Sequence, residues 1–373
     1  MDQMRSRVKR RMRGVLKTPH IRRCQIIGML LLLSLLFGAC GSENTKIDRD
    51  KAAIGLVVTT AQAYDSKILW FDADLENNQI QKLHYAMLGS HFAQPIVKNG
   101  KIYMIPQGLG DRKDTRKVIS IDKKDLAIQE YPFSNIALNY AECIGENVYA
   151  INTLNGVSTL ERYHTLSQQS QKFEREGEVF NQITAASDKL YCFSMRYDPD
   201  NPDRFLTTLR IFTPDLRMEK EIDLSEYGMT SGKALDDQEY LYVTVSHDSY
   251  DNSIGRILKI NKSTYEIQKF DSEEGNVFDI FRAGDRFIFT HYDPVVNEGG
   301  RISIWDGKDS EKIVDLETPL TLTGISGKNF VVANDNCIRL YSMDNFQLLK
   351  EQKIELDSRK YKFYTSSLLF VNE

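Results

Sequence analysis

The chain has 373 residues, with 48 Lys+Arg against 52 Asp+Glu for a formal charge of −4. Residues 1–39 hold nine of those basic residues and a single acid, Asp2, so the remainder carries 39 basic against 51 acidic side chains, or −12. An apolar share of 41% with 10% aromatics excludes a disordered or collagen-like chain, the acidic body has no electrostatic reason to bind nucleic acid, and five Cys exclude a disulfide-dense scaffold.

The chain opens on a basic leader from Arg5 to Arg23, followed by an apolar run of 12 residues, Ile26–Phe37, and then Gly38-Ala39-Cys40. Basic region, short apolar core and small residues at a cleavage point are the layout of a secretory signal. The run is too short for a spanning helix, which needs about 20 residues. Leu36-Phe37-Gly38-Ala39-Cys40 resembles the lipobox of bacterial lipoproteins. That resemblance implies cleavage after Ala39, a diacylglyceryl group on the Cys40 thiol, and a body held outside the cytoplasm on a bacterial membrane. Phe37 departs from the Leu preferred there. Residues 40–51 are polar and aperiodic after the Cys, and read as a flexible tether.

From residue 52 to 373 the chain repeats. Short β-rich runs are centred on Leu56, Ile102, Val148, Leu190, Leu241, Phe287 and Phe330, in steps of 46, 46, 42, 51, 46 and 43 residues. A tight-turn pair precedes six of these anchors: Asn99-Gly100, Gly145-Glu146, Ser187-Asp188, Asp236-Asp237, Gly284-Asp285 and Gly327-Lys328. A third strand follows, ending in four units as apolar-Asp/Asn: Phe71-Asp72, Ile121-Asp122, Ile260-Asn261 and Trp305-Asp306. A polar fourth strand closes the unit. Four antiparallel strands per repeat predict an all-β protein, a seven-bladed β-propeller.

The Leu56 anchor lacks a turn pair, whereas the C-terminus ends in a strand, 366–372. That strand is expected to complete the first blade and close the ring, removing exposed sheet edges. A pair of β-sandwiches is the rival, but it needs neither constant spacing nor an orphan strand at each end. In wording the units resemble the quinoprotein-like and YVTN-type propellers, which implies fold rather than activity. Only Trp70 and Trp305 are present, so the tryptophan docking pattern of quinone-dependent members is missing, and no cofactor is expected.

The loops after the second strand share a face with the loops joining blades. They are longest in units four to six, with Met195–Asp203, Ser246–Asn252 and Thr290–Pro294. Arg196, Tyr197 and Asp198, then His247, Asp248 and Tyr250, then His291, Tyr292 and Asp293 fall at matching points and are the candidate binding rim. The plain reading is turn chemistry, since Asp caps loops through its own backbone. A metal site on His247, His291 and neighbouring Asp residues is a further alternative; Asp198, Asp200 and Asp203 lack the EF-hand's Gly and closing Glu. No G-x-S-x-G, HExxH or phosphate-binding Gly-rich loop occurs. Cys143, Cys192 and Cys337 read as small buried residues, and His84, His91 and His164 as ordinary polar positions.

The expected function is that of a lipid-anchored binding or scaffold module for a protein, peptide or glycan of the cell envelope. Known propeller lipoproteins of outer-membrane assembly offer the resemblance for an assembly role. The alternative is an envelope-polymer hydrolase or lyase using His247 or His291 as base, with Asp248 or Asp293 orienting it.

Overall fold

The computed structural model describes residues 47–76, 78–89, 94–108, 116–308, 311–356 and 363–372. The leader, Cys40, residues 41–46 of the expected tether and His91 lie outside these residues. The described chain forms seven four-stranded antiparallel sheets. Their innermost strands are Thr365–Val371 in blade 1, Ile96–Lys98 in blade 2, Leu138–Ile144 in blade 3, Val179–Ala186 in blade 4, Met229–Asp236 in blade 5, Val277–Ala283 in blade 6 and Leu322–Ser326 in blade 7. Each of these strands touches the next around the circle, and blade 7 touches blade 1. The molecule is a seven-bladed β-propeller.

Ring closure follows the expected route. Thr365–Val371 pairs antiparallel with Ile54–Thr59, with Leu56 opposite Leu369 and Gly55 opposite Phe370. Gly55 is required here, because a Cβ would stand 2.3 Å from the Phe370 ring. Phe370 in turn meets Trp70 edge to face at 5.4 Å.

Strand alternation sends successive side chains to opposite faces of a blade, so each blade has an apolar surface toward both neighbours. Seven buried clusters result, one between each pair of adjacent blades. The seven anchors distribute one to a cluster, always facing the preceding blade: Leu56 lies in the cluster with blade 7, Ile102 with blade 1, and Phe330 with blade 6.

Positive φ at Asn99, Gly100, Gly145, Ser187, Asp188, Gly284 and Gly327 builds five of the six predicted hairpin turns. In blade 5 the turn is Gln238-Glu239, two residues later than predicted. Asp236 still pairs with Leu241, and Asp237 and Tyr240 exchange backbone hydrogen bonds.

Residues 47–51, assigned to the tether by their polarity, are part of the folded body. Arg49–Lys51 forms a 3-10 turn, Ile47 packs with Leu126 against the cluster between blades 1 and 2, and Arg49 Nη1 donates to the Lys123 carbonyl. Lys123 and Leu126 belong to a third-to-fourth strand turn, so residues 47–51 lie on the face opposite the second-to-third loops.

Candidate binding site

The segment Met195–Asp203 is not an irregular loop. Its strands extend as Lys189–Asp198 and Asn201–Phe212, leaving only Pro199-Asp200 as the turn. Polar, Asp-rich sequence obscured strands that keep pairing beyond the propeller body. At the tip Tyr197 is 65% exposed and its ring lies 4.7 Å from that of Phe205. Arg196 is exposed beside it. Asp198 accepts the Asp200 N–H at 3.0 Å and pairs with Arg204 at 3.4 Å.

In blade 5 the Asp248 carboxylate accepts from the Tyr250 and Asn252 N–H groups and from the Asn252 amide, closing its own turn. Desolvation works upward on this carboxyl, yet the Asn252 bonds hold it below the usual carboxylate range. His247 Nδ1 lies 2.8 Å from Ser246 Oγ. Tyr250 stands out at 54% exposure. In blade 6 Asp293 likewise accepts the Val295 N–H at 2.8 Å. All three Asp residues therefore cap turns, as the plain reading held.

Strand alternation separates His291 from Tyr292. The His291 ring is buried between two partners, Nδ1 at 2.7 Å from the Gly275 carbonyl and Nε2 at 2.7 Å from Ser303 Oγ. A carbonyl only accepts, so Nδ1 carries the proton and Nε2 accepts from Ser303. Burial pushes the imidazole pKa down, against the upward pull of the Gly275 bond. Tyr292, on the other face, is buried against Phe278 at 5.9 Å and donates to Asn297 Oδ1 at 2.5 Å.

His247, Tyr292 and Asp293 are brought to one cavity of about 230 Å³ at the loop face. Met195, Met229, Phe278 and Val295 supply its apolar wall, and Asn181 a polar one. Arg196, Tyr197, Asp198, Asp248, Tyr250 and His291 do not line it; Tyr197 stands exposed on the extended hairpin of blade 4 and Tyr250 on the loop of blade 5. Sequence reasoning missed Asn181, Met229 and Phe278. Their signal is position in the repeat, since each lies at or near the start of the innermost strand, where it reaches the loop face.

Among the described residues no three His, Cys, Asp or Glu gather as a metal site. Cys143, Cys192 and Cys337 are free and buried, and desolvation raises the first two thiols to about 11 and about 12, so they are not nucleophiles. His164, read as an ordinary polar position, has a partner: its Nδ1 accepts the Ser167 N–H at 3.1 Å.

By fold, then, the chain belongs with the β-propellers, here with a cavity among the loops of blades 4 to 6. No family model matches it, and no curated protein matches it in sequence. Among solved structures it is similar to dihydro-heme d1 dehydrogenase NirN in complex with DHE, at 12% identity over 87% of this chain and 76% of that one, with a TM-score of 0.50. It is also similar to AztD of Citrobacter koseri, at 10% identity over 82% and 84% of the two chains, with a TM-score of 0.49. At such identities the likeness is one of fold alone.

Proposed function

We propose that this protein is a lipid-anchored, extracytoplasmic binding module that holds an envelope protein, peptide or glycan against the loop face of blades 4 to 6. The observation that carries the reading is the apolar cavity beside His247 and Tyr292, with exposed Tyr197, Tyr250, Val295 and Val296 on the same three blades. Amphipathic aromatics and exposed aliphatics around a concave apolar site are what recognition surfaces use. Residues 47–51 pack on the opposite face, beside the Lys123–Leu126 turn. Anchoring rests on the lipobox resemblance at Cys40.

A photo-crosslinker placed in cells at Val295 or Tyr250 is expected to give a discrete adduct that the same probe at Leu166, exposed on the opposite face, does not. Adducts of equal yield from both faces would refute the rim. Membrane association of the chain and incorporation of a labelled fatty acid are both expected to vanish in Cys40→Ser. A hydrolase or lyase would need a free base oriented by a carboxylate. His291 has both ring nitrogens engaged, while Asp248 and Asp293 are turned onto backbone N–H groups.

A further inference from the structure

The innermost strands of blades 3 to 6 all break register near the same level. Pairing shifts between Asn139 and Ala141, Phe180 and Gln182, Ser231 and Ala234, and Val277 and Ile280. A bulge bends its strand and re-aims side chains, and bulges gather beside functional sites. Tyr140, at the first of these, has φ +40, a rare value for a bulky residue. Tyr140 and Gly232 line the loop-face cavity on one side and a second chamber on the other. This chamber, of about 280 Å³, lies further along the strands and is walled by the innermost strands of blades 2 to 5.

Its chemistry differs from that of the cavity above. Lys98 and Lys233 line it with a single acidic residue, Glu142. Lys98 Nζ lies 3.5 Å from Glu142 and donates to the Ala185 carbonyl, while Glu142 also accepts the Cys143 and Ala185 N–H groups. Among the described residues Lys233 has no ion-pair partner; its ammonium lies 5.8 Å from the Phe281 ring centroid. Gln182 is 2% exposed, lines the chamber, and its Oε1 has no hydrogen-bond partner. A buried acceptor left unmade is costly, and the terminal amide torsion is soft enough to turn it toward a ligand.

We propose that this chamber binds a small hydroxylated carboxylate of the size of a single uronic acid. Its carboxylate would sit at Lys233 and Lys98, and a hydroxyl would donate to Gln182. The site stands independently of the rim, because neither Lys233 nor Gln182 lines the loop-face cavity.

Calorimetric titration of the full chain with D-galacturonate tests it, beside D-galactose, which lacks the charge, and cyclohexanecarboxylate, which lacks the hydroxyls. Galacturonate is expected to bind with Kd below about 1 mM, and each comparison compound at least about tenfold more weakly. Lys233→Met is expected to weaken galacturonate by about tenfold or more. Gln182→Leu is expected to weaken it as well, while the melting temperature of the ligand-free chain holds or rises, because a buried unpartnered acceptor has been removed. Val295→Asp is expected to leave galacturonate binding unchanged, which separates this site from the rim. No saturable heat up to about 10 mM, equal binding of either comparison compound, or undiminished binding in Lys233→Met would overturn the proposal.

Discussion

At the scale of single residues, one position recurs in all seven blades: the end of the third strand, whose side chain accepts a backbone N–H from the turn beyond it. Asp72 accepts from Glu76, Asp122 from Lys124, Asn261 from Ser263 and Asp306 from Lys308. His164, Thr213 and Ser342 do the same with Ser167, Arg217 and Asp344. The first four are legible as apolar-Asp/Asn; the other three are not, because three different side chains serve the same geometry. Several of these turns close through a bulky residue at positive φ, including Leu75, Leu216 and Phe346. Sequence rules put Gly or Asn there, yet burial of these side chains against neighbouring blades outweighs the backbone strain. His291 gives a pH prediction. Its folded pKa lies below the ordinary 6.5, so the unfolded chain binds the extra proton first. Stability is therefore full above that value and declines as the pH falls toward the folded one. The drop in melting temperature between about pH 7.5 and about pH 5 is expected to shrink in His291→Asn. Gly232 has φ +63, and a Cβ there would stand 1.7 Å from the Phe278 carbonyl oxygen. Gly232→Ala is expected to lose at least about 3 kcal/mol by chemical denaturation.

At the scale of elements, alternation decides what neighbouring residues can share. His291 and Tyr292 are adjacent in sequence and belong to different sites, one buried beside Ser303 and the other facing the loop-face cavity. Blade 4 is held on its outer side by Arg210, 4% exposed in the third strand. Its guanidinium reaches Glu178 in the connection from blade 3 at 2.7 and 3.0 Å, Ser194 Oγ at 2.9 Å, and Glu221 in the fourth strand at 2.6 Å. The Glu221 carboxylate is 48% exposed and adds little by itself, whereas the Glu178 carboxylate is largely enclosed. Removing Arg210 leaves Glu178 uncompensated, so Arg210→Met is expected to cost about 3–5 kcal/mol. Adding Glu178→Gln is expected to recover much of that in the same denaturation experiment, because the stranded charge goes with it. Full additivity of the two substitutions would show that no such coupling exists.

At the scale of the whole molecule, seven interblade clusters make stability a property of the closed ring rather than of any one sheet. Phe370, near the end of the chain, fills the space left by Gly55 and packs on Trp70 between blades 1 and 2. Phe370→Ala is expected to cost about 3–5 kcal/mol. Trp70 is one of only two tryptophans, so its fluorescence reports the change directly. Deleting 365–373 removes the innermost strand of blade 1 and leaves Ile54–Thr59 as an unpaired edge of buried side chains. That truncation is expected to lower the melting temperature and to self-associate in sedimentation, since a bare apolar edge is a template for pairing. A monomer of unchanged stability would contradict ring closure.

Periodicity alone determined the class, the blade count and the closing strand, because a β-blade is a local unit whose turn pair and apolar anchor recur within every 42–51 residues. The same residues placed the anchors, one per interblade seam. What a one-dimensional pattern does not carry is which innermost-strand side chains meet in the cavity and the chamber. Tyr140, Asn181, Gln182, Gly232 and Phe278 come from four repeats, and only the ring and its register shifts set them side by side. Site geometry is a sum over distant segments, and that sum exists only once the circle has closed.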